Sequence, residues 1–331
     1  MKITGKTIRR VLIAIAGLFL IGILVKAYYD TNSIEIKRFE IENSRLGDAL
    51  AGAKIAFLSD LHFREMGRLQ HQIMDLLNSE RPDLIFVGGD LIAFRGSYAP
   101  VLTFLSGLTP RLGVYAVLGN TEYSNENGSC ILCHKEGSKD LKRHRSPTFL
   151  RNSSVNLKIN GRELTLLGVD DPVTKRSDLR ETLKKMKSTH TAILLAHSPE
   201  VFDEASELGI DLVLSGHTHG GQIVLSKFLR RILPLDQTFN FIEGFFQKGK
   251  SLMYVSRGIG TSFLPFRFMV RPEIVFFTFT NGRNPSVVSG PSLISNTVSG
   301  LIEKLVLYQY LFPFSRLLKV NGVLKVSNLI L

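Results

Sequence analysis

Short runs of apolar residues alternate with amphipathic stretches along most of the chain. Strands are predicted at 34–41, 54–59, 83–88, 113–118, 155–159, 163–169, 191–196, 211–214, 252–256 and 274–280, and helices at 68–78, 100–108, 177–187 and from Pro199 onward. Asn160 and Gly161 separate two of these strands and are typical of a two-residue hairpin turn. Because strands and helices follow one another, the pattern predicts α/β layers rather than a helical bundle or a β-sandwich.

The first 30 residues follow a different pattern. Residues 11–25 form an unbroken run of 15 apolar or glycine residues, which Arg9 and Arg10 precede and Lys26 ends. A helix that spans a bilayer core needs about 20 residues, so the run is short, although a snorkelling Lys26 would extend it. Residues 1–29 are therefore interpreted as an uncleaved anchor, as a secretory or twin-arginine signal, or as a monotopic or buried helix. Basic residues flank the run on both sides, so the positive-inside rule favours a cytoplasmic N-terminus only weakly.

Two other segments differ in composition from the body of the chain, which covers residues 30–284. Residues 123–150 are polar and rich in Ser, Lys and His, and they are interpreted as an insertion or a lid. Residues 285–331 carry several basic side chains and a single acidic one, and they are predicted to form a basic amphipathic C-terminal extension. Cys130 and Cys133 are too few for a disulfide scaffold, and two thiolates do not favour a structural zinc site.

The net charge of the chain indicates which classes of partner it binds. It contains 41 Lys and Arg residues against 29 Asp and Glu residues, which gives a net charge of +12. Such an excess predicts acidic partners, namely phosphorylated substrates or the surface of an anionic membrane. The sequence has no base-reading motif, so nucleic acid is not predicted as a partner, and no protein partner is predicted either.

Side chains that can bind metals follow five of the predicted strands. The segments are Ser59-Asp60-Leu61-His62, Gly88-Gly89-Asp90, Gly119-Asn120-Thr121-Glu122, Ala196-His197 and Gly216-His217-Thr218-His219-Gly220-Gly221. Open α/β sheets place their sites at the carboxyl ends of strands. In an extended pair such as Asp-x-His, residues i and i+2 point the same way, so both side chains are expected to converge on one centre.

The types of side chain in this set indicate which metals it suits. A mixture of carboxylate, imidazole and amide groups suits Mn, Fe, Zn or Co, whereas Mg and Ca prefer an all-oxygen set. A carboxylate shared by two cations about 3.5–4 Å apart gives a centre that polarises phosphoryl oxygens and generates hydroxide near neutral pH. The sequence therefore predicts two divalent metal ions, with Mn²⁺ as the first choice.

The order of these motifs resembles that of the calcineurin-like metallophosphoesterase superfamily, which runs Asp-x-His, Gly-Asp, Gly-Asn-His-Asp/Glu, His and Gly-His-x-His. The match covers residues 54 to about 280. It implies a four-layer sandwich of two mixed β-sheets flanked by helices, preceded here by the N-terminal apolar segment. It also implies that one metal binds Asp60, His62, Asp90 and His219, and that the other binds Asp90, Asn120, His197 and His217. A hydroxide between the two metals would be the nucleophile.

The chain departs from the family pattern at one position, where Thr121 replaces the histidine of Gly-Asn-His. In the family that imidazole steadies the transition state or protonates the leaving group, and threonine is not a general acid near neutral pH. No side-chain acid is assigned, and the candidates are Thr121, Glu122, His134 and His144. The lack of this histidine favours cleavage of a phosphoanhydride over cleavage of a monoester, because a phosphate is already a good leaving group.

Three further segments resemble a membrane-linked bacterial subgroup of the superfamily. They are the tract 214–223 around Gly-His-Thr-His-Gly-Gly, the turn Gly168-Val-Asp-Asp-Pro172 and the segment Ser256-Arg-Gly-Ile-Gly-Thr261. That subgroup includes the chlamydial-type UDP-2,3-diacylglucosamine pyrophosphatase of lipid A synthesis. The resemblance implies hydrolysis of a phosphorylated, lipid-like substrate at the bacterial inner membrane, with the site on the cytoplasmic face. The alternatives are an exported metallophosphoesterase that acts on cell-wall or other phosphodiesters, and a metal-binding scaffold without activity.

Overall fold

The computed structural model describes residues 4–94, 96–124, 147–184, 186, 191–224, 240–282, 285–289, 293–295, 319–320 and 323–326. The helices are α1 (Gly5–Asn32), α2 (Ser44–Leu50), α3 (Arg68–Glu80), α4 (Ala99–Ser106), α5 (Leu179–Leu183) and α6 (Phe202–Glu207). The first half of the chain forms β1 (Ile34–Glu42), β2 (Ile55–Leu58), β3 (Leu84–Gly88), β4 (Val114–Val117), β5 (Thr148–Phe149), β6 (Ser153–Ile159) and β7 (Arg162–Gly168). The second half forms β8 (Thr191–Leu195), β9 (Leu212–Ser215), β10 (Gly244–Lys248), β11 (Ser251–Val255), β12 (Glu273–Thr280), β13 (Ser286–Ser289), β14 (Leu293–Ser295), β15 (Lys319–Val320) and β16 (Val323–Val326).

These strands form two mixed sheets. The first has the order β13-β1-β12-β2-β3-β4-β5, with β14 also paired to β1, and the second has the order β15-β16-β10-β11-β9-β8-β7-β6. In the first sheet β2, β3, β4 and β5 run parallel, and in the second β7, β8, β9 and β11 run parallel. Parallel neighbours bring their carboxyl ends to the same edge, so each sheet presents one edge rich in strand ends.

Alternation of side chains along the strands produces a layered core. In β2, Ile55 and Phe57 pack between the two sheets, whereas Ala56 and Leu58 face the helices on the outside of the first sheet. The second sheet likewise packs its outer face against α5 and α6, where Leu179 and Phe202 are buried. Because successive residues of a strand point to opposite faces, an all-apolar strand can fill two layers at once. The predicted four-layer sandwich with two mixed sheets is confirmed.

Local sequence accounts for most of the element boundaries. Asn160 and Gly161 both have positive φ, 51° and 85°, as the predicted two-residue hairpin turn requires. The side chain of Asn43 accepts hydrogen bonds from the N–H groups of Arg45 and Leu46 and thereby caps α2. The pattern of apolar positions did not reveal α2, because that helix has only seven residues. It also missed β10, and the described helix α5 is shorter than the predicted 177–187.

Helix α1 is much longer than the apolar run that predicted it. It has 28 residues and is therefore about 42 Å long, and it is long and apolar enough to cross a membrane. Most of its large apolar side chains are exposed, from Ile8 to Val25. Its last two turns are different, because Ala27 and Asp30 are buried against the body of the protein. A membrane-spanning length of helix is thus joined directly to the sandwich.

The described parts of residues 285–331 are β13, β14, β15 and β16. The strands β13 and β14 pair with β1, and β16 pairs with β10, so these segments extend the edges of both sheets. The rest of the predicted C-terminal extension lies outside the described residues.

Candidate metal centre

The seven predicted metal ligands lie together at the carboxyl ends of the parallel strands. Asp60 and His62 follow β2, Asp90 follows β3, Asn120 follows β4, His197 follows β8, and His217 and His219 follow β9. Asp60, Asp90, His197 and His219 are buried, whereas His62, Asn120 and His217 are partly exposed. Both sheets therefore contribute to one centre, and its partly exposed members mark the side that faces solvent.

One half of the centre gathers around His62 and His219. Their Nε2 atoms are 3.1 Å apart, and the His62 Nε2 atom is 3.4 Å from Asp90 Oδ2. The His219 Nε2 atom is 3.6 Å from Asp60 Oδ1. Donor atoms separated by such distances can share a cation that binds each at about 2.0–2.2 Å. These four residues are the set predicted to hold the first metal.

The other half gathers around His197. Its Nε2 atom is 3.2 Å from Asn120 Oδ1, 3.2 Å from His217 Nδ1 and 3.4 Å from Asp90 Oδ1. One oxygen of Asp90 thus faces each half, which is the position that a bridging carboxylate needs. The donor set fits two divalent cations, since it offers imidazole, carboxylate and amide groups at spacings compatible with metal binding.

The backbone at the site is strained, so the candidate ligands do not converge in the way that the sequence predicted. Five of the seven residues have positive φ: Asp60 (51°), His62 (45°), Asp90 (50°), His217 (71°) and His219 (52°). The expectation that Asp-x-His and His-x-His are extended pairs with parallel side chains is therefore wrong. After β2, β3 and β9 the ligands converge because the chain turns sharply just beyond the strand. Left-handed backbone in residues with a side chain costs about 1–3 kcal/mol each and is concentrated at functional sites.

Glycines beside the ligands allow this close packing. A Cβ atom on Gly119 would lie 2.3 Å from Asp90 Oδ1, and one on Gly216 would lie 2.3 Å from Asp60 Oδ2. Neither contact is possible for a real side chain, so both motifs require glycine next to the metal ligand. The glycines that mark these motifs in the sequence thus have a steric role at the centre.

The electrostatic environment keeps two of the imidazoles neutral. Burial, followed by the neighbouring His197, lowers the pKa of His217 to about 4. Burial also lowers the pKa of His219 to about 3. Burial alone would lower the pKa of His197 too, but the Asp90 carboxylate outweighs it and raises that pKa to about 10. Neutral imidazole is the form that binds metals, so a cation that binds His197 at neutral pH displaces a proton.

Contacts behind the ligands fix their orientation. The Nδ1 atom of His197 donates a hydrogen bond of 2.9 Å to the Gly88 carbonyl, which leaves Nε2 free to bind a metal. The guanidinium of Arg267 is fully buried and donates to the His219 carbonyl, and its Nη2 atom lies 3.2 Å from His219 Nδ1. Sequence reasoning missed Arg267, because a single arginine among apolar residues belongs to no motif that would reveal it.

Thr121 and Glu122, two of the candidate acids, both contact the loop that carries Asp90. Thr121 contacts the Asp90 carboxylate, and Glu122 contacts the backbone of the loop. The Thr121 N–H and hydroxyl groups donate to Asp90 Oδ1 at 2.9 and 3.0 Å. The Glu122 carboxylate is completely buried and accepts from four backbone N–H groups, those of Gly119, Asp90, Leu91 and Ile92. Burial, and then repulsion from Asp90, raises the pKa of Glu122 to about 8, whereas the N–H donors oppose this shift. Both side chains therefore help to hold Asp90 and its loop in place.

The remaining candidate residues lie outside the described residues. They are His134 and His144, together with Cys130 and Cys133. Within the described part of the chain, the only histidine besides the four in the centre is His71, which is exposed in α3 and bonded to the Gly67 carbonyl.

A Thr121→Val variant tests the positioning of Asp90. It removes the hydroxyl bond and keeps the backbone bond, so we expect kcat/KM for a phosphodiester to fall about tenfold, since a hydrogen bond to a charged group is worth about 1.5–3 kcal/mol. The matched control is Thr103→Val, whose hydroxyl lies exposed on α4. An unchanged rate in Thr121→Val would show that the hydroxyl does not orient Asp90.

Comparison of the sequence with known proteins shows the family of the chain. The profile of the calcineurin-like phosphoesterases matches residues 53–221. The metallophosphoesterase YkuE of Bacillus subtilis (strain 168) is 30% identical over 257 residues, which are 76% of this chain and 87% of the relative. A metallophosphoesterase of Aquifex aeolicus (strain VF5) is 31% identical over 278 residues, which cover 80% of this chain and 99% of the relative. A transmembrane protein with a metallophosphoesterase domain from Danio rerio is 28% identical over 254 residues, 71% of this chain and 55% of that protein. The chain therefore belongs to the calcineurin-like phosphoesterase family and is a metal-dependent phosphoester hydrolase.

Proposed function

We propose that this protein is a membrane-associated hydrolase with two Mn²⁺ ions that cleaves the diphosphate of UDP-2,3-diacylglucosamine to lipid X and UMP. Two cations held by the seven ligands would polarise the phosphoryl oxygens and supply a nucleophile at neutral pH. The chain itself contributes the position of each ligand, and Thr121 and Glu122 hold the loop that carries Asp90.

The observation that carries the proposal is the contact of Thr121 with Asp90. The residue that replaces the family histidine is engaged with a metal ligand and is buried. Among the described residues, no further imidazole lies at the centre to protonate a leaving group. A substrate whose leaving group needs no proton suits such a site, and the phosphate released from a diphosphate meets this condition.

Two other features support a substrate embedded in a membrane. Helix α1 is long and apolar enough to span a bilayer, and its last turn packs against the catalytic body. The chain also has a net charge of +12, which favours anionic partners such as phosphorylated lipids.

The substrate is tested by incubating the full-length protein in detergent with Mn²⁺ and UDP-2,3-diacylglucosamine and measuring UMP. We expect UMP release that stops when the metal is chelated and resumes when Mn²⁺ is returned. Bis-p-nitrophenyl phosphate serves as a soluble second substrate. Turnover of the soluble diester without UMP release would reject the lipid substrate, and failure to turn over either compound would favour a metal-binding scaffold.

The exported alternative is favoured by one observation. Lys6, Arg9 and Arg10 precede the apolar run and weakly favour a cytoplasmic N-terminus, although basic residues also follow the run. A spanning α1 would then place the catalytic body on the outer face, where cell-wall phosphodiesters are the substrates. The nucleotide substrate requires the opposite orientation. A reporter fused to the C-terminus and active only in the cytoplasm decides between them, and a signal from it supports the UDP-linked substrate.

A further inference from the structure

An apolar groove of about 870 Å³ lies between α1 and the segment that follows the metal-binding loops. We call it the α1 groove. One wall is formed by α1, from Leu18 to Asn32, and the other by Ile223, Pro265, Phe266 and Phe268. Its volume lies within the range of about 300–1,000 Å³ that is usual for sites of small ligands. Its lining is almost entirely hydrocarbon, so it suits an apolar ligand.

The groove is continuous with the part of α1 that is long enough to span a membrane. From Leu18 to Lys26 it follows the helix for about 12 Å. The neighbouring segment 261–269, which we call the α1-facing loop, exposes further apolar side chains: Phe263 is fully exposed, and Leu264, Phe266 and Met269 are also exposed. Exposed aromatic and aliphatic side chains beside an apolar helix are stable in contact with lipid rather than with water.

The two walls are held together by hydrogen bonds and not only by apolar contact. The N–H of Met269 donates to Asp30 Oδ2 at 2.7 Å, and the N–H of Arg267 donates to Thr31 Oγ1 at 2.8 Å. Asp30 is buried and also pairs with Lys26. Both acceptors belong to the last turn of α1, so the groove has a fixed shape at the end nearer the catalytic body.

One wall of the groove is connected to the metal centre through the chain and through hydrogen bonds. Ile223 lies four residues after His219, so the two are at most about 14 Å apart. Gln222 joins the α1-facing loop to the metal-binding segment, because its amide donates to the Leu264 carbonyl at 2.9 Å and accepts from the Ser262 N–H at 2.8 Å. Arg267 completes the connection, since it contacts both α1 and His219.

We propose that the α1 groove binds an acyl chain of a phosphorylated membrane lipid and so brings the head group of that lipid to the metal centre. The identity of the head group rests on the proposed function, whereas the acyl-chain site rests on the groove itself. A chain that lies along α1 remains at the depth of the bilayer, and its polar end emerges near Lys26, on the side of the catalytic body. The groove thus fixes which end of the lipid reaches the metals.

Two glycines of α1 allow a matched test. Gly22 lines the groove and Gly17 does not, and a Cβ atom at either position meets no other atom within 4 Å. Gly22→Phe therefore fills the groove without a backbone clash, and Gly17→Phe adds the same side chain to α1 away from it. Both variants keep the helix apolar.

The probe is phosphatidic acid with a photoreactive diazirine in one acyl chain, mixed with the full-length protein in phosphatidylcholine nanodiscs. We expect light to attach the probe to residues 265–268 of the wild type and of Gly17→Phe, and Gly22→Phe to lower this labelling about tenfold, because overfilling a packed site costs enough to displace its ligand. Equal labelling of 265–268 in all three proteins would overturn the proposal. A bifunctional crosslinker applied to the same nanodiscs tests the other occupant, because crosslinks between α1 of one copy and residues 265–268 of another would identify a second chain in the groove and overturn the proposal too.

Turnover of bis-p-nitrophenyl phosphate is measured on the same three proteins and separates the two proposals. We expect it to be the same in all three, because this diester has no acyl chain. Loss of turnover in every protein, with the labelling difference retained, rejects the proposed hydrolase and leaves the acyl-chain site intact. Turnover with no labelling difference rejects the acyl-chain site alone.

Discussion

Replacing Asp90 with alanine is expected to lower kcat/KM for bis-p-nitrophenyl phosphate by at least about a thousandfold, because the metals contribute several kcal/mol of transition-state stabilisation. Asp90 has one oxygen 3.4 Å from His62 and the other 3.4 Å from His197, so it is the carboxylate that joins the two halves of the centre. Its loss would remove a ligand from each of the two proposed cations. It also removes the charge that balances the surrounding imidazoles.

The measurement combines steady-state kinetics with metal content by mass spectrometry. We expect the variant to lose metal along with activity, whereas Asp75→Ala, at an exposed position of α3, should retain both. Full activity in Asp90→Ala, with metal retained, would show that the phosphoesterase reaction does not use this centre. Loss of metal without a change in the circular dichroism spectrum would show that the variant folds but no longer binds metal.

Replacing Glu122 with alanine is expected to have the largest effect on stability. The Glu122 carboxylate is completely buried and accepts four backbone N–H bonds, of 2.7 to 3.2 Å, from the loops after β3 and β4. Removing it leaves those donors without a partner, and each unsatisfied buried group costs about 1–3 kcal/mol. We therefore expect a loss of about 3–5 kcal/mol, with part of the full penalty relieved by water that enters the space.

Thermal unfolding of the detergent-solubilised protein measures this effect. At about pH 9, above the raised pKa of Glu122, Glu122→Gln keeps the volume of the side chain but replaces one acceptor oxygen with a donor, so its melting temperature should fall between those of the wild type and Glu122→Ala. Glu40→Ala, at an exposed position of β1, is the control. If Glu122 were instead a catalytic acid, Glu122→Gln would lose turnover while keeping the melting temperature of the wild type.

The pattern of apolar residues was enough to predict most of the sandwich. Strand β3 is a short apolar run that ends in Gly88, and β8 is apolar after its first residue, Thr191. The helices α3 and α4 between strands show ordinary amphipathic spacing. Short elements were harder to find. Helix α2 has only seven residues and is defined by the cap at Asn43, and β10 pairs with its neighbour β11 and with the distant strand β16. Pairing partners distant in the chain leave little trace in local sequence.

The kinds of ligand at the centre, and their order along the chain, were determined by the sequence alone. Asp60, His62, Asp90, Asn120, His197, His217 and His219 stand directly after strands, and parallel strands bring their ends to one edge of a sheet. What the sequence could not supply was the manner of convergence. The turns of left-handed backbone at Asp60 and His219 arise from loops packed against one another, and only the assembled sheets hold residues in that conformation.

Tertiary structure alone decided the surroundings of the centre. Arg267 is 48 residues from His219 in the chain but lies against it, and it also contacts α1, which is more than 230 residues away. The α1 groove likewise exists only because the last turn of α1 is tied to the α1-facing loop. Local preferences act over a few residues, whereas a buried hydrogen bond between distant segments forms only when the whole core brings them together. For this reason the sequence was enough to predict the candidate metal ligands, whereas the contacts that surround them could be seen only in the fold.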